Sequence, residues 1–134
     1  MAKIPEAVVE SVVSDVSKRM SDPTYSQLAI GSFAQAHPDA SRFITAHLDD
    51  LGGGEGVMHA VFHAQVLNEC FERHQGRSLT PIDFADLDAA AQGDPIEKLQ
   101  ERQPGLASYV ASNVDEPAIK KLVSLIGVAM DRQA

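Results

Sequence analysis

The chain has 134 residues, enough for one domain, and its 44% hydrophobic and 22% charged content is that of a globular protein, not a disordered tail. Asp and Glu outnumber Lys and Arg by 19 to 11, for a net charge of −8, and the basic residues do not cluster, which disfavours nucleic acid and anionic membrane surfaces as partners. A single cysteine, Cys70, cannot form an internal disulfide and fits a reducing compartment. The first residues lack the apolar core of a signal peptide and no apolar run approaches membrane-spanning length, so the expected setting is cytoplasmic.

In chain order, residues 1–22 are expected to form an amphipathic N-terminal helix, followed by one helical domain over 23–134. Ile4, Val8, Val9, Val12, Val13, Val16 and Met20 recur at three- and four-residue steps as an apolar seam. Valines are weak helix formers, so this segment depends on a surface to dock against. Asp22-Pro23 reads as an N-cap followed by proline, opening a helix with Tyr25, Leu28, Ala29, Phe33 and Ala36 inward. A third helix runs from Pro38 to about Leu51, with Phe43, Ile44 and Leu48 on its apolar side. Gly52-Gly53-Gly54-Glu55-Gly56 breaks the chain. A longer helix is expected from about Val57 to His74, with Gly76 as its stop. Thr80, with Asp83 three positions on, is the expected cap of a short helix ending near Gly93. Asp94-Pro95 repeats the cap-then-proline signal, and Gln103-Pro104 and Glu116-Pro117 mark two further joints. The fold class is therefore all-α, a compact bundle of seven or eight short helices.

The chain also matches itself. With Phe33 placed on Leu99, His37 falls on Gln103, Pro38 on Pro104, Phe43 on Tyr109, Ile44 on Val110 and His47 on Asn113. Dropping about five residues at the glycine loop then places Val57 on Ala118 and Val61 on Leu122. The expectation is an internal duplication of a helix-Pro-helix-turn-helix unit, with pseudo-repeats over about 23–75 and 95–134. On this alignment His37 and His47 occupy positions filled elsewhere by Gln and Asn. Their role reads as hydrogen bonding at a helix joint, not metal ligation.

Among chemistry-bearing residues, His59 and His63 stand four apart on one helix face, the spacing by which a helix presents two metal ligands. Cys70 and His74 continue the stripe, but His63 and Cys70 are too far apart along the axis to share an ion. The stripe lies opposite a polar edge of Gln65, Glu69, Glu72 and Arg73 and is expected to face inward or towards a partner. Satisfied packing histidines are the simpler reading, and a divalent transition metal at His59 and His63 is the alternative. The glycine loop lacks the Gly-Lys-Ser/Thr ending of a phosphate loop and reads as a connector. Cys70 has no evident group to orient His74 as its base.

The function expected is a non-catalytic helical protein-interaction or regulatory module, needing no cofactor. Self-association as a homodimer is expected through Val8, Val9, Val12, Val13 and Val16, with closure of the domain's own core as the competing use of that seam. A metal- or small-ligand-binding protein using the His59/His63 face is the second reading.

Overall fold

The structure is a computed structural model and describes residues 3–134. It is all-helical, and no strand occurs among the described residues. The eight helices are α1 (Glu6–Arg19), α2 (Tyr25–Ala36), α3 (Pro38–Ala46), α4 (Gly54–Gln75), α5 (Phe84–Ala90), α6 (Pro95–Arg102), α7 (Pro104–Asn113) and α8 (Pro117–Gln133). Proline is the first residue of α3, α6, α7 and α8, where its missing N–H would have had no partner in any case.

The two longest helices, α4 and α8, pack against each other and carry the core between them. Leu67, Phe71, Ile126 and Met130 are completely buried there. Gly127 permits the close approach, because a Cβ at that position would meet methyl carbons of Leu67 and Leu99 at 3.1 Å. The other helices surround this pair in a repeating pattern. α2 packs on α4 as α6 packs on α8; α1 packs on α4 and α7 as α5 packs on α8 and α3.

Several boundaries differ from those the sequence suggested. Asp22 caps a turn instead of a helix: its Oδ1 accepts from the N–H and hydroxyl of Thr24, and α2 starts at Tyr25. α3 ends at Ala46, and the glycine segment is a hydrogen-bonded turn, with Gly53 N–H donating to the Leu48 carbonyl. Gly52 and Gly53 take φ values of +84° and +99°, which a side chain would strain, and α4 then begins inside the glycine run. The cap of α5 is Asp83, not Thr80. Asp83 and Asp86 each accept from the other's backbone N–H, a capping box shifted three residues along. The shift has a cause: the Ile82 N–H is already bound to His37 Nδ1, which holds the chain extended up to that point. Asp94 caps α6 as expected, accepting from Ile96 and Glu97.

Candidate functional site

The valine seam comes first, because it carried the expected interface. Val9, Val12 and Val16 are buried against the rest of the same chain, and Val8 and Val13 are partly buried. Val12 has no exposed surface. An ion pair between Arg73 and Asp15 at 2.8 Å, together with a bond from Arg73 to Ser11, ties α1 to α4 across this contact. Contact between two copies along this seam would therefore require exchange of α1 between them.

The histidine face resolves into separate environments. His59 is exposed. His63 is half-buried, and its Nδ1 is hydrogen-bonded to the Tyr109 hydroxyl at 2.8 Å. Burial, with the neighbouring His59 charge adding to it, pushes His63 below the ordinary imidazole range. Burial also raises the Tyr109 phenol. Cys70 is fully buried, and its thiol is pushed up to about 12 by burial and by Glu69, so it carries no thiolate at neutral pH. No group of three or more His, Cys, Asp or Glu side chains converges among the described residues.

The two helix joints singled out by the self-match are built alike. At the α2–α3 joint His37 has φ −136° and ψ 71°; at the α6–α7 joint Gln103 has φ −138° and ψ 74°. Both side chains have no exposed surface. His37 Nδ1 accepts from the Ile82 N–H at 3.1 Å, and its Nε2–H donates to Asn68 Oδ1 at 2.7 Å. Gln103 Oε1 accepts from the Ile4 N–H at 2.8 Å, and its Nε2 donates to Asp131 Oδ1 at 2.9 Å. In each case the backbone donor is the isoleucine just before the cap of a helix, α5 in one half and α1 in the other. At the far end of the helix after each joint the pattern continues, with His47 Nδ1–H donating to the Phe43 carbonyl and Asn113 Nδ2 to the Tyr109 carbonyl, both at 2.8 Å. These polar groups satisfy backbone and helix-end atoms, which is a structural role.

An open feature lies elsewhere, at the corner where α1 turns into α2. A cavity of about 480 Å³ is enclosed by the end of α1, the first turns of α2 and the middle of α4, with Arg19, Tyr25, Leu28, Gln65 and Glu69 among its lining. Arg19 Nη1 is 3.8 Å from Glu69 Oε1, and the Arg19 guanidinium stands 6.0 Å from the centre of the Tyr25 ring. Burial raises the Glu69 carboxyl above the usual range despite Arg19 and Arg73 nearby. Leu28, expected to face inward, is 63% exposed at the mouth, and Met20 on the same corner is 50% exposed. Gln65, expected on a solvated edge, is instead 8% exposed. The sequence concealed this site because α4 is buried on most of its circumference from Ala64 to Phe71, so its polar residues do not mark an outer face.

The chain matches no known family, no curated protein and no solved structure, so its function is read from this geometry.

Proposed function

We propose that this chain is a non-catalytic, cytoplasmic helical module that acts by binding protein, with a second copy of itself as the first partner. The observation that carries the reading is the α1–α2 corner, where Leu28 holds a large apolar surface in water on the wall of an open cavity and Met20, between the lining residues Arg19 and Ser21, is half-exposed beside a neighbouring cavity. Apolar side chains grouped beside a cavity mark contact sites more often than scattered ones do. Lys18 and Arg19 stand on this corner with Asp22 and Glu69, so its charge is mixed, which lets opposite charges meet when the surface pairs with its own copy. The non-catalytic part of the reading is supported by the assignments above. Cys70 is a buried thiol, His63 is engaged by Tyr109, and His37 and His47 satisfy helix joints. No helix among the described residues is long and apolar enough to cross a membrane.

Sedimentation velocity at high micromolar concentration tests self-association. The wild type should sediment as a dimer, and Leu28→Asp should yield a folded monomer, because an exposed leucine can be replaced without disturbing the core. A wild-type monomer throughout that range would contradict the self-association reading.

A further inference from the structure

The helices α1 and α5 hold matching places in the fold and differ in length. The Ile4 N–H is bonded to Gln103 at the α6–α7 joint and the Ile82 N–H to His37 at the α2–α3 joint, and each helix begins two residues after its isoleucine. Counted from these isoleucines, Val9 matches Leu87 and Val12 matches Ala90, and all four are buried. α5 stops at Ala90, whereas α1 runs on to Arg19, about two turns further.

The extra turns cover a defined surface. Val13, Val16 and Met20 stand over Phe62, Tyr109 and Asn113, and the space left between them is a cavity of about 160 Å³. In the other half, the joints place Phe43 at the position of Tyr109 and His47 at that of Asn113. The bonds of Asn68 to His37 and of Asp131 to Gln103 place Leu125 at the position of Phe62. Phe43, His47 and Leu125 all line an open cavity of about 470 Å³ between α3 and α8, with Leu51 and Leu122 also in its wall. Tyr109 is 8% exposed, whereas Phe43 is only half-buried. The α3–α8 groove is therefore the counterpart of a surface that a helix covers, and α5 is too short to cover it.

What fits such a groove is a helix like the second half of α1, amphipathic, with valine-sized residues at three- and four-residue steps. α1 itself is not free to enter the groove of a second copy, since Val12 has no exposed surface and Asp15 is held by Arg73 at 2.8 Å. Asp50 and Lys121, both exposed, put one charge of each sign on the rim of the apolar wall, an arrangement common to helix-binding grooves. We propose that the groove between α3 and α8 is a docking site for an amphipathic helix of another protein, laid along the continuation of α5 as α1 is laid on α4 and α7. The site rests on the protein-binding reading above but shares no lining residue with the α1–α2 corner.

The probe is a peptide of residues 5–20, acetylated and amidated, because that helix already fits the matching surface. It is titrated into the full chain and followed by amide and side-chain NMR shifts. Saturable shifts centred on Phe43, His47, Lys121 and Leu125 are expected. A peptide carrying both Val12→Asp and Val16→Asp should not bind. Phe43→Ala, which removes part of the wall, and Ala118→Phe, which fills the groove from a lining position, should each bind about tenfold more weakly or worse. Leu28→Asp should bind as the wild type does, so the groove is read whether or not the chain self-associates. Absence of saturable binding, shifts centred on Phe62 and Tyr109 from exchange with α1, full binding by Phe43→Ala and Ala118→Phe, or loss of binding by Leu28→Asp would each overturn the proposal. Loss of the sedimenting dimer in Phe43→Ala would assign the groove to a second copy and overturn the choice of partner.

Discussion

The α2–α3 and α6–α7 joints present one backbone solution with two chemistries. Each is a two-helix corner whose buried polar residue precedes a proline, accepts from the backbone N–H of an isoleucine in the other half and donates to a side chain on a long helix. His37 does this with an imidazole against a neutral amide, and Gln103 with an amide against a carboxylate. The comparison teaches that the corner requires one acceptor and one donor at fixed places, and that the ring or amide supplying them is secondary. It also separates what the fold requires from what it does not. The corners keep their polar residues in both halves, whereas the buried Gln65 has an apolar counterpart in Val128.

The largest expected effect comes from emptying the charged corner. Gln103→Leu leaves the Ile4 N–H without its acceptor and takes one hydrogen bond from Asp131, a 5% exposed carboxylate whose remaining partner is Arg102 at 3.3 Å. The loss should be about 3–5 kcal/mol in denaturant unfolding, because a buried charge loses part of its compensation. His37→Leu orphans only neutral groups, Ile82 N–H and Asn68 Oδ1, and should lose about 2 kcal/mol. If the two losses are equal, the contrast between a carboxylate and an amide partner has no energetic weight.

The aromatic residues in the middle of the helices after the joints, Phe43 in α3 and Tyr109 in α7, sharpen the comparison by their difference. Tyr109 is buried at 8% exposure and bonded to His63, whereas Phe43 is half-buried on the wall of a separate cavity between α3 and α8. Tyr109→Ala should therefore lose about 3–5 kcal/mol and Phe43→Ala about 1–2 kcal/mol. Thermal melts of the pair check the order, and a Phe43→Ala loss as large as that of Tyr109→Ala would place the two rings in equivalent surroundings after all.

Much of the fold was legible in the sequence because the joints are marked by residues with one physical use. Proline after a polar residue opened α3, α6, α7 and α8, and the pairing of His37 with Gln103 and of His47 with Asn113 pointed to their shared hydrogen-bonding roles. Registers and partners were less legible. The sequence alignment placed Val61 on Leu122, whereas the bonds of Asn68 and Asp131 to the corners place Val61 on Ser124. α4 and α8 are buried on several faces, so their apolar residues align with one another at more than one slip. The cap at Asp83 was missed because the competing partner of Ile82, His37, is distant in the chain. The valine seam could be read equally as core or interface, since periodicity gives the direction of a face and not what covers it. At the α1–α2 corner, neither the exposure of Leu28 nor the burial of Gln65 has a signature in spacing.

The smallest expected change is the most direct test of the corners' equivalence. His37 Nδ1 accepts a backbone N–H, so protonation there would set donor against donor, and burial accordingly pushes the imidazole below its ordinary range. Between that lowered value and the ordinary pKa of about 6.5, the unfolded chain binds more protons than the folded one. Stability contributed by neutral His37 is thus complete above the unfolded pKa and is lost as pH falls through the window below it. His63, lowered in the same direction, adds a second share to the slope. Melting temperatures of the wild type and His37→Gln, measured from pH 7.5 down to about pH 5, bring these points together. The account predicts that glutamine, the residue of the second corner, keeps the fold within about 1 kcal/mol at pH 7.5 and flattens the fall towards acid, leaving the share of His63. A His37→Gln protein that unfolds at pH 7.5, or that keeps the full wild-type slope, would contradict the claim that the two corners are one construction filled by interchangeable polar groups.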